Sequence, residues 1–178
     1  MQLFKKKKYT DYIIFTAIIL GGILIDVITK YLVTRLMTLG ESIPLIKGFL
    51  HITYTTNDGA AFGMMDGQRW IFILVSSVTI VGLLLYLYLG HTTGRLYDVS
   101  VSMIISGGIG NMIERLGFGF YVNENGVGEV VDFIDFCGIW NAIFNGADSF
   151  VCVGAGLLIL AMVLEIIKEA KENKAQKK

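Results

Sequence analysis

Long apolar runs separated by polar links dominate this chain of 178 residues. Four runs are readable, at about 12–33, 70–89, 97–115 and 148–168. The second carries no charged residue and has about the 20 residues that cross the hydrocarbon core of a bilayer. The third is short and glycine-bearing, with Ser106-Gly107-Gly108-Ile109-Gly110-Asn111 near its end. The fourth is free of charge from Ser149 to Glu165. In lipid, backbone N–H and C=O groups have to be satisfied within the segment, and a helix does this without closing a barrel. The pattern predicts an all-α membrane protein, one integral membrane domain over residues 1–178 with four transmembrane helices.

Two longer links, about 34–69 and 116–147, interrupt the apolar pattern. In the first, Phe49-Leu50-His51-Ile52-Thr53-Tyr54-Thr55-Thr56 is β-branched, aromatic and partly alternating, which predicts a strand. The stretch from Leu45 to Phe49, beside Pro44 and Gly48, is placed to pair with it. A small β-sheet on the outer membrane surface is therefore expected.

Composition narrows the class. The chain is 54% hydrophobic and 17% charged, too apolar for an ordinary soluble domain. Its net charge of zero gives no reason to expect a nucleic-acid partner. Cys137 and Cys152 have neither metal-ligand spacing nor the number a disulfide framework needs. The distribution of charge says more than its sum. Lys5 to Lys8 precede the first run, and Lys168, Lys171, Lys174, Lys177 and Lys178 follow the last. Both termini are expected on the cytoplasmic side, with the two long links opposite. The second link is acidic, with Glu124, Glu129, Asp132 and Asp135, which fits that side. Lysines before an apolar run also mark a secretory leader. Here Asp26 and Lys30 interrupt the run and no small-residue cleavage site follows, so an uncleaved first helix is expected.

Polar residues in or beside these runs need a reason, because a carboxylate at the centre of a membrane helix costs about 2.5–3.5 kcal/mol. Asp26 and Lys30 are spaced i,i+4 and share one helix face, as a structural ion pair would. Asn57-Asp58-Gly59 is a turn signal, with small residues that allow close backbone approach. Asn111 and Arg115 end the third run. Asp132 lies in Val130-Val131-Asp132-Phe133, and Asp148 in Phe144-Asn145-Gly146-Ala147-Asp148, where the last run begins. Taken alone, Asp148 is a reasonable helix cap and Asp132 a loop carboxylate. Taken as a pair near one membrane surface, they suit acid–base chemistry. A proton-coupled membrane transporter uses similar residues, but no broken-helix pair or inverted repeat is visible. A non-enzymatic assembly subunit would explain the glycines and Asp26/Lys30, but not the convergence of Asn and Asp.

In combination these clusters resemble signal peptidase II, the lipoprotein signal peptidase family. The match includes Asp26 and Lys30 in the first helix and an Asn-x-Gly-x-Ala-Phe-Gly loop at Asn57 to Gly63. It continues with Gly110-Asn111-Met112-Ile113-Glu114-Arg115, where the family pattern has Asp in place of Glu114. It ends with Val-x-Asp-Phe at Val130 to Phe133 and Phe-Asn-x-Ala-Asp at Phe144 to Asp148. The resemblance implies a membrane aspartic endopeptidase of the bacterial cytoplasmic membrane. Asp132 and Asp148 would be its catalytic pair. Asn57, Gly59, Asn111, Arg115, Asn145 and Ala147 would bind substrate or support the site, with Asp26 and Lys30 as a structural polar pair. Its substrate would be a diacylglyceryl-modified prolipoprotein, cut just before the lipidated cysteine at the outer face. No metal or organic cofactor is implied. The expected partners are that substrate and membrane lipids, and the chain is expected to be a monomer.

Overall fold

The computed structural model describes residues 7–57, 69–90 and 94–176. Among them, four helices are long and apolar enough to cross a membrane. They are α1 (Tyr9–Leu36), α2 (Arg69–Leu89), α3 (Arg95–Ile113) and α4 (Gly146–Gln176). With 28 residues, α1 reaches about 42 Å, more than the ~30 Å hydrocarbon core needs.

The weakest span by sequence, α3, is the most buried of the four. Apolar burial does not drive helices together in lipid, so close packing of small residues has to. Ser100, Ser102, Ser106, Gly107 and Gly110 are all buried on α3. A Cβ on Gly107 would overlap the carbonyl oxygen of Ala147, and one on Gly110 would sit 2.7 Å from Asp26 Oδ2 and 3.1 Å from the Ala147 Cβ. These two glycines let α1 and the start of α4 close on α3. Phe15 and Ile19 of α1, Ile80 and Leu87 of α2, and Val101, Ile105 and Met112 of α3 fill the interior between the first three helices.

The two long links carry strands: β1 (Ser42–Ile46), β2 (Leu50–Asn57), β3 (Tyr121–Val122), β4 (Gly128–Asp135) and β5 (Ile143–Phe144). All pairings are antiparallel, in the order β1-β2-β4-β3, with β5 also on β4. The expected pairing of the Leu45 region with the Phe49–Thr56 strand is present as β1 and β2. The sequence reading placed no strand in the second link, yet β4 is the hub of the sheet. Its Val130, Val131, Asp132 and Phe133 are all buried. A strand covered on both faces shows a continuous apolar run rather than alternation, so it has no periodic signature. Val131 and Phe133 pack with Tyr54 of β2 on Val33 at the end of α1. Each such side chain contributes roughly 1.5–3 kcal/mol when fully buried. That contact seats the sheet on the helix bundle.

Candidate active site

The site begins with the cap of α4. Asp148 is not that cap, as one reading of the sequence had it; Asn145 is. The Asp148 N–H donates to Asn145 Oδ1 at 3.0 Å, and the Asn145 N–H donates to Asp148 Oδ2 at 3.1 Å. This reciprocal capping box satisfies two donors that a helix start leaves open. It also fixes the Asp148 carboxylate and leaves Oδ1 to accept from Asn111 Nδ2 at 2.8 Å.

Asp132 is brought in by the sheet. It lies mid-strand on β4, opposite Thr55 of β2, with Asn57 opposite Val130. Asn145 Nδ2 donates to Asp132 Oδ1 at 2.6 Å, and Asn57 Nδ2 donates to Oδ2 at 3.3 Å. Asn145 Nδ2 also donates to Asn111 Oδ1 at 3.0 Å. The buried Asn145 therefore bonds both aspartates and uses both amide hydrogens, its carbonyl and its backbone N–H. Asp132 and Asp148, separate in the sequence, are joined through one side chain.

Asp132 is only 3% exposed. Burial pushes its carboxyl up to about 7, and the charge of Asp148 adds to this, against the lowering effect of bonds from Asn145 and Asn57. Removing a carboxylate from water disfavours its charged form, and a second carboxylate nearby does so again. This site can therefore hold a proton on Asp132 near neutral pH beside a second acidic group.

Behind the aspartates lies a charge cluster larger than the Asp26/Lys30 pair. Lys30 Nζ is 2.8 Å from Asp26 Oδ2 and 2.6 Å from Glu114 Oε2, and it donates to Asn111 Oδ1 at 3.1 Å. Asp26, Lys30 and Glu114 are all buried. Asp26 Oδ1 accepts the Ala147 N–H at 2.8 Å. Arg115 interacts electrostatically with both Asp148 and Asp132, and its guanidinium lies 5.9 Å from the Phe72 ring centre. Of the residues expected here, Asp26, Lys30, Asn57, Asn111, Arg115, Asp132, Asn145, Ala147 and Asp148 come together. Gly59, and the rest of its loop to Gly63, lies outside the described residues. Glu114 was read only as a departure from a pattern, whereas it is a full member of the cluster. Its sequence signal was a carboxylate four residues after Gly110, at the end of a membrane span.

A buried carboxyl paired with a half-buried one, both held by asparagines between a membrane helix bundle and a sheet, defines a membrane enzyme equipped for acid–base chemistry. Comparison with known proteins narrows the class. The model of the family Peptidase_A8, described as signal peptidase (SPase) II, matches residues 18–164. The chain belongs to the signal peptidase II family, and is accordingly a protease. It is 40% identical over 155 residues to a lipoprotein signal peptidase of Halalkalibacterium halodurans, covering 86% of this chain and 94% of that one. The corresponding protein of Halothermothrix orenii is 44% identical, over 80% of this chain and 90% of its own. That of Bacillus subtilis is 40% identical, over 83% and 92%. A bacterial membrane enzyme solved by the in meso method at 2.3 Å superposes with a TM-score of 0.74 at 28% identity, covering 93% of this chain and 94% of that one. A second, solved at 1.9 Å, gives 0.72 at 30% identity over 90% and 97%. The chain is thus a multi-pass bacterial membrane protein.

Proposed function

We propose that this chain is an aspartic endopeptidase that uses Asp132 and Asp148 as its catalytic pair. As a signal peptidase II it cleaves the signal peptide from prolipoproteins. No relative or structural neighbour described above is a transporter. The observation that carries the catalytic assignment is the Asn145 bridge, which ties a buried, proton-holding Asp132 to Asp148.

Hydrolysis follows from two carboxyl groups in unlike states. Asp148 takes a proton from water as the water oxygen adds to the scissile carbonyl carbon. Asp132, still protonated, hydrogen-bonds the carbonyl oxygen as charge develops there. The tetrahedral adduct then breaks its C–N bond, and the leaving amine receives a proton from the pair. Asn57 and Asn145 hold Asp132 while Asn111 holds Asp148. The substrate is a diacylglyceryl-modified prolipoprotein cut before its lipidated cysteine, with its acyl chains in the surrounding lipid. The working unit is a monomer. The termini face the cytoplasm and the sheet faces the opposite side, so an exported substrate meets the site directly. The lysine-rich ends support that orientation.

The test is cleavage of a purified lipidated prolipoprotein by wild type, Asp132→Asn and Asp148→Asn, with product masses measured. Loss of cleavage in both folded variants is expected. Near-wild-type turnover by either would end the assignment.

A further inference from the structure

Two backbone N–H groups near the site lack a partner within their own secondary structure. The first is Val131 N–H on β4. β3 covers the strand at Gly128 and Glu129, and β5 covers it at Ile134 and Asp135. The gap between them is filled by the Glu114 carboxylate, which accepts the Val131 N–H at 3.4 Å and 3.3 Å. The second is Ala147 N–H in the first turn of α4, a position that a helix cannot satisfy itself. It donates to Asp26 Oδ1 at 2.8 Å. Val131 is the residue before Asp132, and Ala147 is the residue before Asp148. Both accepting carboxylates meet on Lys30 Nζ, at 2.8 Å and 2.6 Å, and its third bond goes to Asn111, which holds Asp148. The Lys30 ammonium thus pairs with two carboxylates and donates to one amide oxygen.

We propose that Lys30, Asp26 and Glu114 form a bracket that sets the spacing between Asp132 and Asp148, with Glu114 as the positioning residue for Asp132. One end grips the backbone ahead of each aspartate, and the ammonium fixes the two ends to each other. The two aspartates sit on different kinds of element, a strand and a helix, so a shift of the sheet on the bundle would part them. The packing of Val131 and Phe133 on Val33 holds β4 against α1, and the bracket adds a directional polar tie that neither the Asn145 bridge nor the β2–β4 pairing supplies. Where the family pattern has Asp, this chain has a side chain one methylene longer, which spans from Lys30 to the gap in the β4 ladder. The proposal rests on Asp132 and Asp148 being the catalytic pair.

The experiment compares kcat and KM of purified wild type, Glu114→Gln, Glu114→Asp, Asp132→Asn and Lys7→Met on a lipidated prolipoprotein. Each is counted per folded molecule from a monodisperse peak and a thermal melt. Glu114→Gln keeps the length and loses the charge that holds Lys30. Its kcat is expected to fall about 10- to 100-fold with KM within about twofold, as for a small misplacement of reacting groups. Glu114→Asp keeps the charge but is too short to hold both partners. Its kcat is expected to fall at least about threefold, which decides the matter if the Gln variant does not fold. Lys7→Met breaks a buried ion pair far from the site, so it should lower the melting temperature and leave kcat unchanged. Unchanged kcat in both Glu114 variants would overturn the bracket, as would an equal loss in Lys7→Met. Turnover retained by Asp132→Asn would instead overturn the catalytic pair. An inactive Asp132→Asn beside unaffected Glu114 variants would remove the bracket alone.

Discussion

At the end of the bundle that carries the termini, Lys7 is buried 3.2 Å from Asp98, donates to the Leu87 carbonyl and lies over the rings of Phe15 and Tyr86. Among the described residues, one cation meets one carboxylate there, and the ammonium also meets a backbone carbonyl and two aromatic rings. At the sheet end, Asp26, Glu114, Asp132 and Asp148 outnumber Lys30 and Arg115. Both ends bury charge, and both therefore bear a desolvation cost. Among the described residues, only the sheet end leaves that charge unbalanced. A balanced pair fastens helices together. An excess of buried carboxyl groups keeps a proton on one of them near neutral pH, which a catalyst can use. The difference between structural and chemical use of ionisable residues here is one of charge balance, since the residue types are alike.

The largest effect that would break this comparison is chemical. Asp132→Asn and Asp148→Asn should each lower kcat at least about 10²- to 10⁴-fold, the range lost with an acid–base group. Asp98→Asn should leave kcat per folded molecule unchanged. Parallel cleavage assays and melts check this, and a catalytic loss in Asp98→Asn would erase the distinction between the two ends.

Next in size is the loss of a buried cation. Lys30→Met leaves Asp26 and Glu114 uncompensated, at a cost of about 3–5 kcal/mol. Replacing Asp26 and Lys30 together by apolar residues should not restore stability, because Glu114 still lacks its cation. The matching change at the other end, Lys7→Met with Asp98→Leu, removes both charges and should restore much of it. Thermal unfolding in one detergent measures all of these. Equal recovery at both ends would mean that Glu114 is not bound as described.

A smaller effect is steric. Gly107→Ala puts a methyl into the Ala147 carbonyl and should destabilise by about 1–3 kcal/mol, with turnover reduced because Ala147 precedes Asp148. Gly82 has open space around its Cα, so Gly82→Ala should be neutral or slightly stabilising. Melting temperatures of the two variants decide it.

Much of the fold could be read from the residues because lipid imposes long uncharged runs, and Trp70 to Leu89 admits little else. The strand from Leu50 to Asn57 showed itself by β-branched and aromatic residues. β4 did not, because its centre, Val130 to Phe133, is buried on both faces and lacks the alternation that marks a half-exposed strand. This changes the meaning of Asp135. On a helix it would lie one turn from Asp132; on a strand, three residues apart, it points to the other face, where it accepts from Thr53 Oγ1 at 2.8 Å. Asp135→Asn should consequently cost about 1 kcal/mol or less and leave cleavage intact. Asp148 and Asn145 were visible as chemistry, but which of them caps α4 depends on where the helix starts, and sequence places that least well. Glu114 was hidden for a different reason. Its partners, Lys30 and Val131, come from a distant helix and a strand, and no local spacing announces them. Lys7 looked like one of four interfacial lysines, and only the packing of α1 on α2 and α3 makes it a buried one.

The central claim is that Asp132 is a buried acid held protonated near neutral pH beside Asp148. Its folded-state value of about 7 lies above the ordinary 3.8, because of burial first and the Asp148 charge second. Between those values the folded protein binds a proton that the unfolded chain has released. The stabilisation present below 3.8 is therefore lost as pH rises through about 7, and Asp132→Asn should flatten that decline. The most direct measurement is a pH-difference infrared titration of the protein in detergent. The account predicts a protonated-carboxyl band that disappears as pH rises through about 7 in wild type and is missing in Asp132→Asn. The same band persisting in Asp132→Asn, or a wild-type carboxyl fully ionised by pH 5, well below that value of about 7, would contradict it.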